Sequence, residues 1–222
     1  MNALVIFGAP GSGKGTQAKM LQQCLGIPHV STGEVLRQRI RSGAGMDVAA
    51  TMKSGRLVSD EVVNVIVEER LSEPDTLNGF ILDGYPRTRA QAEHICRWFD
   101  GRGIREVVIH LVVDYNVIIT RLASRRQCPA CGTVYNMVSQ PPQVDELCDL
   151  DGQKLVARDD DRESVIRERL EEYERQTRPV LDFFQSAGRV VVEVGTGEEP
   201  PEKIYHMICQ ALERHDRTQD GR

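Results

Sequence analysis

The sequence predicts an α/β fold in which a doubly wound sheet of five parallel strands carries helices on both faces. Short apolar runs rich in β-branched residues alternate along the chain with segments whose apolar residues recur every three or four positions. The first run leads directly into a glycine-rich stretch and then a helical pattern, the order of a strand, a phosphate-binding loop (P-loop) and a helix.

Five short apolar runs are predicted as strands: Ala3–Phe7, His29–Val30, Phe80–Leu82, Val107–Val113 and Val190–Val194. Six segments with helical spacing are predicted as helices: Gln17–Leu25, Val62–Leu71, Thr88–Asp100, Val117–Arg125, Ser164–Phe184 and Ile204–Arg214. In a sheet of this kind, ligands bind at the carboxyl ends of the strands.

Two segments interrupt the alternation. Residues 31–60 are rich in small polar residues and show helical spacing at Val35, Leu36 and Ile40, which favours a helical insertion. Residues 127–159 contain three prolines, two glycines and three cysteines, which favours a short β-rich excursion.

The stretch Gly8–Thr16 reads Gly-Ala-Pro-Gly-Ser-Gly-Lys-Gly-Thr. Its glycines let successive N–H groups face one anion, and the helix that begins near Lys14 adds its positive N-terminal end. Lys14 can reach the terminal phosphates of a nucleotide, and the hydroxyl of Thr16 can lie next to magnesium, one position later than in the strict motif. An ordinary glycine-rich turn needs neither the further glycines nor the lysine. The stretch therefore predicts a nucleoside triphosphate site.

Composition excludes several classes of protein. The formal net charge of -5 and the pI near 5.6 argue against a general affinity for nucleic acid, which needs a broad basic surface. No apolar run approaches the length of about 20 residues that spans a membrane. The six cysteines are unevenly spaced in a long chain, unlike a secreted disulfide scaffold. We expect a cytoplasmic protein with no nucleic-acid or membrane partner.

Three cysteines and one aspartate form a metal-ligand pattern. Two residues separate Cys128 from Cys131, and two separate Cys148 from Asp151. Thiolates and a carboxylate can hold zinc tetrahedrally, and four protein ligands would make the site structural. Unliganded cysteines remain an alternative. A zinc ribbon that binds nucleic acid is a second one, poorly supported because few basic or aromatic residues accompany the pairs.

Arginines are concentrated near predicted strand ends and at the borders of the excursion. Phosphoryl transfer depends on positioning and on positive charge around the migrating group, so such an enzyme should carry arginines beside its phosphate loop. Each arginine alone is more often a solvated surface charge. The candidates are Arg37, Arg87, Arg121, Arg125, Arg158 and Arg169.

Four stretches together resemble adenylate kinase: Gly8–Thr16, Ser31–Gly33, Asp83–Thr88 and Arg158–Asp161. The resemblance spans nearly the whole chain and is to the long form with a zinc-bearing lid. It implies reversible, Mg²⁺-dependent transfer of the ATP γ-phosphoryl group to AMP, giving two ADP. It also implies a core of residues 1–30, 61–124 and 163–222, an NMP-binding insertion of residues 31–60, and a lid of residues 125–162.

The resemblance further implies roles for individual residues. Lys14 would follow the transferring phosphoryl group. The ATP site would comprise Gly11, Ser12, Gly13, Lys14, Gly15, Thr16, Arg121, Arg125, Val134, Tyr135 and Gly197. The AMP site would comprise Thr32, Gly33, Arg37, Arg56, Leu57, Val58, Gly84, Tyr85, Pro86, Arg87, Gln91, Arg158 and Arg169. The residues that carry catalysis would be Lys14, Arg87, Arg125, Arg158 and Arg169. Zinc would be held by Cys128, Cys131, Cys148 and Asp151, and Mg²⁺ would be organised through water by Asp83.

Two functional alternatives stay open. Another nucleoside monophosphate kinase, acting on GMP, UMP or CMP, would share the loop and the arginines, although Thr32, Gln91 and the long lid favour AMP. A non-catalytic nucleotide-sensing or nucleic-acid-binding protein would need no second nucleotide site, so Arg37 and Arg87 count against it. ATP, AMP and ADP are the expected partners, and a monomer is the default expectation.

Overall fold

The computed structural model of the chain describes residues 3–43, 46–197 and 199–220. Residues 1, 2, 44, 45, 198, 221 and 222, which fall within the expected core and insertion, lie outside that description. The central sheet has the order β2-β3-β1-β4-β7, and every pairing in it is parallel. Its strands are β1 (Ala3–Gly8), β2 (His29–Ser31), β3 (Phe80–Asp83), β4 (Glu106–Val112) and β7 (Val190–Gly195). The predicted five-stranded parallel sheet is confirmed.

Helices connect the strands and cover both faces of the sheet. They are α1 (Lys14–Leu25), α2 (Thr32–Arg41), α3 (Met46–Lys53), α4 (Asp60–Leu71), α5 (Arg89–Asp100), α6 (Tyr115–Ala123), α7 (Glu163–Glu172), α8 (Pro179–Ser186) and α9 (Pro201–Asp220). Short 3₁₀ turns lie at Pro74–Thr76 and Asp159–Asp161. No helix in the described ranges is both long and apolar enough to cross a membrane.

Successive residues of β1 face two separate hydrophobic clusters, as a strand of a doubly wound sheet must. Ala3, Val5 and Phe7 are buried with side chains of α4, α5, α7 and α8. Leu4 and Ile6 are buried on the other face with side chains of α1 and α9. The carboxyl ends of the strands therefore stay at one edge of the sheet, where the connecting loops converge.

The two irregular segments have the predicted character. The described part of residues 31–60 contains α2 and α3, as expected of a helical insertion. Residues 125–162, called the lid below, contain an antiparallel pair, β5 (Arg125–Gln127) with β6 (Val134–Asn136), and single bridges from Gln127 to Val156 and from Leu147 to Lys154. A small buried cluster of Cys128, Tyr135, Cys148 and Leu155 fills the lid.

Several predicted helix bounds were wrong. The last helix, predicted over Ile204–Arg214, runs from Pro201 to Asp220. The helix predicted to end at Arg125 ends at Ala123, because Arg125 instead pairs with Asn136 in the lid sheet. The single helix predicted over Ser164–Phe184 is divided by a π-helical turn at Tyr173–Thr177. Proline lacks an N–H and clashes with the preceding turn, so Pro179 forces this widening, and the N–H of Arg178 donates to the carbonyl of Tyr173 at 2.8 Å.

We expect Gly8→Ala to lower the free energy of unfolding by about 2 kcal/mol. The added Cβ would clash with neighbouring atoms, and alanine would be strained in the backbone conformation of Gly8. Gly8 has φ 151°, and its Cβ would lie 2.7 Å from Ser12 Oγ and 2.8 Å from the carbonyl oxygen of Leu111. Gly195→Ala is the matched control, since its Cβ would meet no atom within 4 Å. Urea unfolding of both variants checks this, and equal stabilities would contradict it.

Candidate functional site

The glycine-rich loop joins β1 to α1 at the carboxyl edge of the sheet. Gly11 and Gly13 have φ of 80° and 94°, which only glycine adopts freely. Gly13 is the N-cap of α1 and supplies no side-chain cap, so the N–H groups of the first turn remain available to a ligand. The Oγ of Ser12 is buried without a hydrogen-bond partner. This concave set of donors suits a phosphate.

Lys14 stands at the centre of the loop. Its Nζ donates to the carbonyl oxygens of Gly8 and Ala9, each at 2.8 Å. Burial lowers the pKa of Lys14 to about 7; the charge of Asp83 opposes this shift, and the charges of Arg87, Arg169 and Arg125 add to it. A phosphate beside Lys14 would therefore favour its charged form.

Asp83 ends β3 directly beside the loop. His29 of β2 contacts it, with Nε2 at 3.2 Å from Asp83 Oδ2. Burial alone would raise the pKa of Asp83, but the hydrogen bond from His29 and the charge of Lys14 lower it overall. A Cβ on Gly15 would lie only 3.4 Å from Asp83 Oδ2, so α1 passes close to this carboxylate. An ionised oxygen ligand at this place suits a hydrated Mg²⁺.

Arg87 lies in the loop between β3 and α5. Its Nε donates to the carbonyl of Gly84 at 2.8 Å, and its own carbonyl accepts from Thr177 at 2.9 Å. Burial and then the charge of Arg169 lower the pKa of Arg87 to about 10. The hydroxyl of Tyr85 donates to Asn64 at 2.6 Å, and the Tyr85–Pro86 peptide bond is cis. The stretch Gly84 to Arg87 lines a cavity together with Lys14, Leu57 and Arg169.

Three arginines of the lid and α7 are held by neighbouring side chains. Arg125 forms a two-point contact with Asp161, one bond being Nε to Oδ2 at 2.7 Å. Arg169 pairs with the same Asp161 at 3.2 Å and with Asp160 at 2.9 Å. Arg158 donates to Gln127 at 2.6 Å, and burial, followed by the charge of Arg125, lowers the pKa of Arg158 to about 9. The structure thus brings five of the predicted arginines near one another, whereas Arg121 lies apart from them and contacts Gly197. The five are Arg37, Arg87, Arg125, Arg158 and Arg169.

Six of the predicted AMP residues lie on α2 or in the loop before α4. Thr32 is buried at the start of α2, and its Oγ1 has no hydrogen-bond partner. Arg37 is bound by Glu34, with contacts of 3.2 Å and 3.0 Å to Oε2, and Gly33 packs against its guanidinium. A cavity of about 490 Å³ is lined on one side by Arg56, Leu57, Val58, Ser59, Asp60 and Thr88.

Gln91 is buried on the first turn of α5, and both ends of its amide are engaged. The Arg87 N–H donates to Gln91 Oε1 at 2.7 Å, and Gln91 Nε2 donates to Asp60 Oδ1 at 2.8 Å. The amide is therefore part of a rigid network rather than a freely rotating surface group.

The predicted ATP-base residues are only partly brought together. Arg121 donates to the carbonyl of Gly197 at 2.8 Å, which joins α6 to the loop after β7. Val134 is exposed on β6. The ring of Tyr135 is buried inside the lid, where its hydroxyl lies 3.5 Å from Cys148 Sγ and accepts from the N–H of Asp149 at 2.9 Å.

The four predicted zinc ligands converge. One ligand atom from each of Cys128, Cys131, Cys148 and Asp151 lies within 4.8 Å of the others. Cys131 Sγ is 3.5 Å from Cys148 Sγ, and Cys128 Sγ is 3.2 Å from Asp151 Oδ2. Ligands of a tetrahedral zinc are separated by about 3.5–3.8 Å, given Zn–S of about 2.3 Å and Zn–O of about 2.1 Å. The set fits zinc.

Sequence reasoning missed the residues that hold the predicted site residues in place. These are His29, Glu34, Asp60 and Gln127. Asp160 and Asp161 lie in the stretch Arg158–Asp161 that the sequence analysis singled out, but their contacts with Arg125 and Arg169 were not predicted. Glu34 could have been found, because it lies three positions before Arg37 on a helix. The partners of Asp60 and His29 are distant in the chain, and no local signal indicates them.

Comparisons with known proteins agree on one family. The adenylate kinase family model matches residues 6–189. An adenylate kinase of Thermotoga neapolitana is 46% identical over 193 residues, covering 85% of this chain and 87% of the relative. Adenylate kinases of Moorella thermoacetica and Thermodesulfovibrio yellowstonii are 45% and 42% identical over 214 residues, covering 95% of this chain and 98% and 99% of the relatives.

The lowered pKa of Lys14 predicts a pH-dependent stability of the nucleotide-free protein. Between about 7, the pKa in the folded protein, and 10.5, its ordinary value, the unfolded state binds more protons at this lysine than the folded state. Stability of the wild type relative to Lys14→Met should therefore rise as the pH increases from 7 to 10. Melting temperatures across this range test the slope, with Lys19→Met on the exposed face of α1 as control. Parallel profiles for wild type and Lys14→Met would contradict it.

Proposed function

This chain belongs to the adenylate kinase family, and from that premise we propose how its residues transfer the γ-phosphoryl group of ATP to AMP, giving two ADP. One observation carries the assignment of roles: Lys14, Arg87 and Arg169 line one cavity although they come from three parts of the chain, and Arg125 shares the carboxylate of Asp161 with Arg169. Such a convergence of cations matches the charge that spreads over the phosphoryl oxygens during transfer.

The ATP phosphates would lie in the loop from Gly11 to Thr16. The free N–H groups at the start of α1 and the unpartnered Oγ of Ser12 support this position. Lys14 would exchange its bonds to the Gly8 and Ala9 carbonyls for the transferring phosphoryl group. Mg²⁺, when bound with ATP, neutralises charge on the β- and γ-phosphates, and Asp83 would hold it through water. Arg121 and Gly197 would flank the ATP base, with β6 at Val134 and Tyr135 closing over it.

AMP would bind on the opposite side of the cleft. Arg37 and Arg87 would hold its phosphate, and Glu34 must release Arg37 when the phosphate arrives, because both compete for the same guanidinium. Thr32 and Gln91 would contact the base, and the buried, unpartnered hydroxyl of Thr32 supports this assignment. The remaining lining of the AMP site would be Gly33, Arg56, Leu57, Val58, Gly84, Tyr85 and Pro86.

Chemistry in this arrangement needs no general base. The AMP phosphate oxygens are ionised at neutral pH and can attack without losing a proton, so positioning and charge stabilisation carry the catalysis. Arg87, Arg125, Arg158 and Arg169 would surround the migrating group. Asp160 and Asp161 would hold Arg125 and Arg169 in place for it.

We further propose that residues 31–60 and 125–162 move against the core of residues 1–30, 61–124 and 163–222. Water competes with AMP as acceptor, so closure that excludes it prevents wasteful hydrolysis. The ion pair of Lys53 with Asp159, at 3.5 Å, already joins the insertion to the end of the lid. We also propose that the enzyme acts as a monomer and in the cytoplasm.

Zinc in the lid would be structural. Four protein ligands leave no open coordination position, and the site lies in a domain with a buried cluster of only four residues among those described. Metal ligation would replace the hydrophobic core that so small a domain cannot build.

Product analysis tests the proposed reaction. With MgATP, we expect the wild type to form two ADP for each AMP consumed, and little diphosphate from GMP, UMP or CMP. Lys14→Met should remain folded but lose about 100-fold or more in kcat, because it removes a charge that stabilises the transition state. Lys19→Met, an exposed lysine on the same helix, is the matched control.

Near wild-type turnover in Lys14→Met would refute the role of Lys14. A preference for another monophosphate would overturn the base assignment of Thr32 and Gln91, while absence of transfer to any acceptor would favour a nucleotide-binding protein.

Zinc removal has a separate expected outcome. Elemental analysis should find about one zinc per chain, and chelation should lower the melting temperature before activity is lost, because the metal holds the lid together. Cys148→Ser should lose the metal, whereas Cys24→Ser, an exposed cysteine outside the cluster, should keep it. Absence of metal together with unchanged melting after chelation would disprove a structural zinc.

A further inference from the structure

The side-chain amide of Gln91 is held in one orientation by partners of opposite hydrogen-bonding type. The backbone N–H of Arg87 can only donate, and it meets Oε1 at 2.7 Å. The carboxylate of Asp60 can only accept, and it meets Nε2 at 2.8 Å. Turning the amide by 180° would lose both bonds. Gln91 is only 2% exposed, so water cannot replace them.

Asp60 supplies the side chain that holds the Nε2 end of the Gln91 amide. It is the first residue of α4, and its second carboxylate oxygen accepts from the hydroxyl of Thr88 at 2.8 Å. The same Thr88 oxygen accepts from the N–H of Gln91 at 3.2 Å and caps α5. Asp60 therefore ties α4 to the start of α5 and faces the amide with a fixed acceptor.

The orientation of a side-chain amide decides with which purine base it can form two hydrogen bonds. Adenine presents a donor at its 6-amino group and an acceptor at N1, whereas guanine presents an acceptor at O6 and a donor at N1. In the observed orientation, Gln91 retains one lone pair on Oε1 and one hydrogen on Nε2, a pair that matches adenine. Asp60, which binds Gln91, also lines a cavity of about 490 Å³ between the loop before α4 and residues Glu168, Glu172, Arg175 and Gln176.

We propose that Asp60 is a positioning residue that fixes the amide of Gln91 and so makes this enzyme select AMP over GMP. The inference rests on the proposed function, in which Gln91 contacts the AMP base. Asp60 acts through Gln91, and discrimination arises because guanine would leave two buried hydrogen-bonding groups unpaired.

The Asp60→Asn variant tests this. Asparagine keeps the shape but can donate or accept, so both orientations of Gln91 become possible. We expect the ratio of kcat/KM for AMP to kcat/KM for GMP to fall about tenfold or more, equivalent to about 1.4 kcal/mol. The KM for ATP should not change, because Asp60 lies on the AMP side of the cleft.

Two further variants distinguish the positioning of the Gln91 amide by Asp60 from a general loss of rigidity around α5. Thr88→Val removes another hydrogen bond of Asp60 and the cap of α5, but leaves both partners of the Gln91 amide; it should lower the melting temperature without changing the AMP to GMP ratio. Asp75→Asn removes a carboxylate at an exposed site, where Asp75 binds Arg70, and should leave the ratio unchanged.

The outcomes separate this inference from the proposed function. A wild type that prefers AMP, with an Asp60→Asn variant equally selective, would overturn the inference alone. A Thr88→Val variant that loses as much selectivity as Asp60→Asn would also overturn it, since loosening of α5 would then suffice. A wild type with no transfer to AMP would overturn both.

Discussion

Positive charge gathered in a partly enclosed cleft is the constraint on which the rest of this site depends. Burial lowers the pKa values of Lys14, Arg87 and Arg158, and the charge of a nearby arginine lowers each of them further. Cations so close together repel one another when no anion is bound, and their arrangement becomes favourable when phosphates bind between them. The fold sustains this arrangement because the cations sit on separate elements, and because Asp160 and Asp161 partly neutralise them.

The stability of the lid depends on a different physical constraint, its small size. Its arginines must approach the cleft, yet residues 125–162 are too few to enclose a large apolar core, and the cluster described there has four members. Two cysteines of that cluster, Cys128 and Cys148, also belong to the four proposed zinc ligands. Packing and ligation thus use the same side chains, so rigidity of the lid and its capacity for metal are linked in this small domain.

Most of the scaffold could be predicted because its signals are local. Alternation of apolar runs with helical spacing located all five strands of the sheet, with ends that differ by at most one residue from those observed. The glycine-rich loop and the cysteine pairs were equally visible. Two of the wrong helix bounds have contrasting causes. The local signal of Pro179 was outweighed by continuous helical periodicity, whereas the strand at Arg125 forms only by pairing with β6.

By itself the sequence determined the elements, the phosphate loop, the candidate arginines and the zinc ligand pattern, since each depends on residue types a few positions apart. Only the tertiary structure decided which carboxylate meets which cation or amide. His29 and Asp83 are 54 residues apart, Arg125 and Asp161 are 36 apart, and Asp60 and Gln91 are 31 apart. His29 and Asp83 meet because β2 and β3 are neighbours in the sheet. Arg125 and Asp161 meet because the two ends of residues 125–162 come together, and Asp60 and Gln91 meet because α4 and α5 begin side by side. Contacts between segments so distant in the chain produce no periodic pattern in the sequence.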